Sequence, residues 1–188
     1  MSKTKTRQLV ILAILASLSF ILMLFQFPIL PAADFLKIDF SLIPILLGLV
    51  MFDLKSAYVI LLLRTLLKLL LNNKGIGELT GLPMNIIGMG IFVLAFAIFW
   101  KHQQSRRSYI VASVIGTMLL TLSMLVLNYV FAIPLYAKLA NFDIAAFIGI
   151  SQYLLAMVIP FNLIEGVILS LVFAVSFLVL KPVLQRYS

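Results

Sequence analysis

Long apolar runs, separated by short clusters of charge, proline or glycine, dominate the chain. A bilayer-spanning helix needs about 20 predominantly apolar residues. Six segments approach that description: 9–27, 41–52, 55–71, 81–100, 109–131 and 160–180. The second is short and contains Pro44 and Gly48, so it is expected to tilt or become irregular where neighbouring helices shield it. From Ala145 to Leu180 the apolar run is too long for one simple span, and Pro160 is expected to divide it. That leaves a short outer helix around Ile148 to Val158 ahead of the sixth span. The pattern predicts an all-α integral membrane protein, with residues 1–188 forming a single six-helix domain and residues 28–40 a first outer loop.

Composition excludes the main competitor, a water-soluble enzyme. The chain is 64% hydrophobic and 11% charged, against roughly 45–50% and about 25% for soluble domains, so one globular core cannot hide its apolar surface. The formal charge of +8 is distributed asymmetrically. Lys3, Lys5, Arg7, Lys55, Lys101, Arg106, Arg107, Lys181 and Arg186 fall on the side of the termini, whereas Lys37, Lys74 and Lys138 fall on the other. The positive-inside rule then puts both termini in the cytoplasm. The same asymmetry explains the net charge without nucleic acid, since Lys101, His102, Arg106 and Arg107 have no interleaved aromatics and sit between two spans. The basic start and first apolar run imitate a secretory signal, but the run exceeds a typical core of about 7–15 residues and is read as a retained helix.

Polar groups inside the spans are costly and therefore informative. With the termini inside, Asn128 and Tyr129 fall in the outer third of the fifth span, and Asn162 and Glu165 in the outer third of the sixth. Asn85 lies at a similar level on the fourth, and Lys68 in the outer half of the third, with Arg64 nearer its middle. An outward-facing polar pocket accommodates them all. Other roles stay open: Lys68 snorkels to headgroups, Asn85 glues helices beside Gly81 and Gly88, and Glu165 pairs with Arg64 or Lys68. Tyr129, Tyr136 and Tyr153 belong either to the pocket or to an interfacial aromatic belt. The outer loop PILPAADFLKID, stiffened by Pro28 and Pro31 and carrying Asp34, Lys37 and Asp39, is either a lid or a solvated connector.

Catalytic chemistry has no cast. The stretch NNKGIGELTG lacks the lysine and hydroxyl of a phosphate-binding loop, so the chain is not expected to hydrolyse ATP. With one histidine, His102, and no cysteine, neither a His/Cys metal site nor a Ser-His-Asp triad is available, and no cofactor is expected. On the first span Ala13, Ala16 and Ser17 form a small-residue face suited to close helix approach, either within the bundle or against a partner.

The first helix LAILASLSF, the stretch FLKIDFSLIPILLGLVMFDLKSA and PFNLIEGVI at the start of the sixth helix resemble the substrate-binding S components of energy-coupling factor (ECF) vitamin transporters, their riboflavin-specific branch in particular. The resemblance covers nearly the whole chain. It implies a bacterial cytoplasmic-membrane protein that binds riboflavin tightly, with flavin mononucleotide as a further ligand. Uptake in that family requires a transmembrane coupling subunit and two cytoplasmic ATPases. Ala13, Ala16 and Ser17 match the coupling face, with Ser17 standing where the usual A-x-x-x-A motif has its second alanine. The family pocket, built from the first outer loop and the outer parts of helices four to six, corresponds here to the setting of Asn128, Asn162 and Glu165. Asn85, Lys68, Tyr129, Lys37 and Asp39 complete the candidate ligand set. An S component for another vitamin, or a small carrier working alone, is the alternative reading. The inner halves of the spans lack the continuous polar path that a carrier would need.

Overall fold

The computed structural model describes residues 3–184, and side chains from Lys5 to Pro182; Arg186 and the Lys3 side chain lie outside that range. Eight α-helices follow in order: α1 (Lys3–Leu24), α2 (Leu42–Met51), α3 (Leu54–Leu71), α4 (Ile76–Phe99), α5 (Arg106–Leu127), α6 (Ile133–Leu139), α7 (Ile144–Phe147) and α8 (Ile159–Leu184). Between α1 and α2 the expected loop contains a small hairpin, in which β1 (Phe27–Pro28) pairs antiparallel with β2 (Lys37–Ile38). A one-turn 3-10 helix at Pro31–Ala33 separates the strands.

Among the described residues, four helical stretches are long and apolar enough to cross a membrane: Lys5–Leu24, Ile76–Phe99, Arg106–Leu139 and Gln152–Pro182. The ten residues of α2 are apolar but shorter. Every residue from Leu42 to Leu49 is buried, because α2 runs through the middle of the bundle against α1, α3, α4 and α8. A helix apolar on all sides needs such a position. In α3, Lys55, Arg64 and Lys68 interrupt the apolar sequence.

Two π-helical segments, Asn128–Ala132 and Gln152–Val158, connect what the sequence pattern separates. Helix continues from α5 through the first segment into α6. Pro160 does not divide the last apolar run, since the second segment passes directly into α8. The wider π turn just ahead of Pro160 takes up the space its ring requires and the donor its nitrogen lacks. Instead of one outer helix at 148–158, the chain forms the short α7 and turns at Gly149, whose φ of +87° favours glycine.

One end of the bundle is tied together by polar contacts among basic segments. Gln8 Nε2 donates to Ser56 Oγ at 3.2 Å, joining α1 to α3, and Lys101 Nζ donates to the Phe52 carbonyl at 2.8 Å. Asp53 caps α3 by accepting from the Ser56 amide at 2.7 Å, and that bond holds its carboxyl below the usual range. Above this layer Phe96, Trp100, Tyr109, Phe173 and Phe177 pack edge-to-face between α4, α5 and α8. Gly166 sets the approach of α8 to α5: a Cβ there would lie 2.5 Å from Thr117 Oγ1 and 2.9 Å from Thr117 Cβ. Gly166→Ala is therefore expected to lower stability by about 1–3 kcal/mol through overpacking, measurable as a reduced Tm in detergent; an unchanged Tm would show that α5 and α8 yield freely.

Candidate ligand-binding site

The end of the bundle opposite the basic turns holds a cavity of about 410 Å³. Its walls are Phe35 and Leu36 from the hairpin loop, Thr80 and Met84 from α4, Met124 from α5, Asn128 and Ala132 from the π segment, and Tyr136, Phe142, Ile148 and Tyr153 from the segment leading to α8. Such a volume, mostly apolar with a few polar groups, suits a small organic ligand. Phe35 stacks on Tyr153 with ring centroids 6.2 Å apart, so the loop lies across the cavity.

Asn128 is the best-defined polar group in this wall. Its Nδ2 donates to the Met124 carbonyl at 2.8 Å, and its Oδ1 accepts from the Tyr153 hydroxyl at 2.5 Å. An amide has one further N–H and one further lone pair, so this side chain can both donate to and accept from a ligand while keeping its internal partners. Tyr153, an alternative pocket or belt residue in the sequence, is buried here and completes that pair. Tyr129 does not join it. Successive residues of a helix point about 100° apart, so with Asn128 turned inward Tyr129 lies on the outer surface, 58% exposed in a shallow groove with Leu125, Ile150 and Leu154.

Asn162 and Glu165 are both buried on α8 but do not line the cavity. Asn162 Nδ2 donates to the Val158 carbonyl at 2.7 Å, while its Oδ1 has no hydrogen-bond partner among the described residues. Glu165 shares an electrostatic neighbour, Asp39, with Arg64 on α3. Arg64 in turn donates from Nη2 to Asn85 Oδ1 at 2.5 Å and from Nη1 to Ser41 Oγ. Asp39, Ser41, Arg64, Asn85 and Glu165 thus form a second polar layer, supplied by the end of the hairpin loop, α3, α4 and α8.

Lys68 does not snorkel. Only 1% exposed, it forms an ion pair with Glu78 at 3.0 Å and donates to Asn72 Oδ1 at 2.9 Å. The sequence pattern does not single out Glu78, which sits in a glycine-containing stretch; its signal is its place in the first turn of α4, facing the last turn of α3. Lys37 is exposed on β2. Of the small-residue face on α1, Ala13 and Ser17 are exposed, with Ser17 Oγ turned onto the Ala13 carbonyl at 2.9 Å. Ala16 does not share that face: it is 2% exposed and belongs to the core with Leu12 and Leu15.

An apolar helical bundle, with four stretches long enough to cross a membrane among the described residues and a cavity at one end, defines the class of membrane-helical proteins. Comparison with known proteins narrows this class. Residues 7–177 match the family described as the substrate-specific component of the ECF transporter. The riboflavin transporter RibU of Streptococcus thermophilus is 58% identical over 97% of this chain and 87% of its own length. RibU of Leuconostoc mesenteroides is 40% identical over 98% and 96%, and the riboflavin transporter FmnP of Bacillus subtilis 29% identical over 97% and 96%. A solved S component of a bacterial ECF transporter superposes with a TM-score of 0.77 at 29% identity, covering 97% of this chain and 99% of that one. The chain belongs to the ECF transporter substrate-specific components. It is accordingly a multi-pass transport protein of the cytoplasmic membrane, not an enzyme.

Proposed function

We propose that this chain captures riboflavin from outside the cell and delivers it inward together with an energy-coupling module. In this reading α1, α2, α3, α4, α5 and α8 are six membrane spans. Both termini are cytoplasmic, and the cavity opens outward beneath the hairpin loop. The coupling module consists of a transmembrane subunit and two ATPases, which supply the energy that this chain has no phosphate-binding loop to harvest.

The observation that carries the reading is the cavity itself: aromatic and methionine walls for a flat, largely apolar ring system, with an Asn128–Tyr153 pair on one side. The named relatives support the choice of flavin. The isoalloxazine ring sits among Phe35, Met84, Met124 and Tyr153, while amide and hydroxyl groups engage its polar edge and the ribityl chain. Asn162, whose free carbonyl oxygen is a ready acceptor, and Glu165 extend the site toward α8. Flavin mononucleotide is the second candidate ligand.

The test is a flavin-fluorescence titration of the purified chain, refolded free of co-purified ligand, with thiamine and biotin as competitors. Saturable quenching at one flavin per chain, unaffected by either competitor, is expected. Absence of quenching in folded protein would refute the riboflavin reading, and displacement by a competitor would assign the pocket to another vitamin.

A further inference from the structure

We propose that Arg64 is a positioning residue: it fastens the root of the loop that covers the cavity, and so slows ligand escape without touching the ligand. The inference rests on the riboflavin reading for its kinetic part and on geometry for the rest.

Arg64 is fully buried in α3, an expensive place for a guanidinium unless it has a specific task. Its two terminal nitrogens hold different elements. Nη1 donates to Ser41 Oγ, and Nη2 donates to Asn85 Oδ1. Nε has no partner among the described residues, so the buried charge relies on those two bonds, with Asp39 as its charged neighbour. Removing either acceptor leaves the cation half-satisfied.

Ser41 is the residue on which the loop turns into α2. Its amide donates to Asp39 Oδ1 at 2.8 Å, its carbonyl accepts from Ser19 Oγ of α1 at 2.6 Å, and its hydroxyl accepts from Arg64. Every polar atom of Ser41 is therefore engaged, and Ile38, just before this root, is fully buried. The far part of the loop is different: Phe35, which stacks on Tyr153 over the cavity, is half exposed, and β1 is exposed at both residues. A fixed root with a free tip is the mechanical form of a hinged cover. Asn85, the other acceptor, follows Met84 in α4, and Met84 lines the cavity. One planar fork thus sets the distance between the root of the cover and a wall of the pocket. The point charge of a lysine cannot reproduce that fork.

The test uses stopped-flow flavin fluorescence and hydrogen–deuterium exchange on the full chain in detergent. Ser41→Ala and Arg64→Gln should each raise koff about tenfold, a loss typical of a hydrogen bond to a charged group, with kon changing less. Arg64→Lys should restore part of the slow release. In ligand-free protein the same variants should exchange faster over residues 27–40 while α5 and α8 keep their protection. The Ser41→Ala variant retains Arg64 and its bond to Asn85, so it decides the matter even where an Arg64 variant does not fold. Unchanged koff and unchanged exchange at 27–40 in folded Ser41→Ala would overturn the inference, as would protection lost evenly across the bundle. If the unaltered chain fails to bind flavin, the riboflavin reading falls, and the exchange comparison still judges the anchor.

Discussion

Ala13→Trp is expected to reduce cellular riboflavin uptake to background while flavin binding by the isolated chain stays at its original affinity. Ala13 and Ser17 form an exposed small-residue notch on α1 among the larger exposed Val10, Ile14, Leu18 and Ile21, and Ser17 folds its hydroxyl back onto its own helix, leaving little polarity there. Helices approach closely in membranes where such residues meet, and an indole ring would hold a partner helix away. Binding should be spared because none of the described residues of α1 lines the cavity. Ala16 provides an internal contrast: a bulky residue at that buried site would disturb the core and reduce both activities. The measurement is labelled riboflavin uptake in cells producing the chain with its coupling module, paired with a titration of purified protein. Uptake at the original rate in Ala13→Trp would remove α1 as the coupling face.

The second large effect is expected at Asn128. Replacing it with alanine removes a group that holds Tyr153 in the cavity wall and leaves ligand polar atoms unpaired, at a cost of about 1–3 kcal/mol, or roughly 5- to 150-fold in Kd. Asn162→Ala, measured alongside, reads the depth of the site, since Asn162 is buried on α8 beyond the cavity lining. Losses at both positions would mean that the ligand reaches α8, whereas a loss at Asn128 alone would confine it to the cavity. Undiminished affinity in folded Asn128→Ala would defeat the site assignment.

Hydropathy made the long helices readable because their apolar length has no other use, and charge asymmetry grouped the basic turns now seen tied together by Gln8–Ser56 and Lys101–Phe52. Local geometry was less legible. The sequence at Pro160 carries a helix-breaking signal, but a π turn ahead of it absorbs the defect, and nothing in the residue types of 152–158 announces that turn. Asn128 and Tyr129 are neighbours in sequence and at one depth, but helical rotation turns the first inward and the second out. Pairings across helices were also hidden. Lys68 has a snorkelling side chain's length and position, and only the fold shows that Glu78 meets it. Ala16 counted with Ala13 and Ser17 as a small residue, yet helical rotation sends it inward.

The charges of α3 have a consequence for how the chain is made. A cationic side chain near the middle of a membrane helix costs about 2.5–3.5 kcal/mol on insertion scales; Arg64 lies there in α3, and a second cation, Lys68, in its last turn. Their partners Asn85 and Glu78 both belong to α4, joined to α3 by a turn of only a few residues. On the six-span reading, α3 alone is a poor candidate for release into lipid during synthesis, whereas in an α3–α4 hairpin Arg64 already has Asn85 and Lys68 already has Glu78. The two helices should therefore leave the translocation machinery as a pair, so that a substitution of Glu78 or Asn85 would show itself first as misinserted chains.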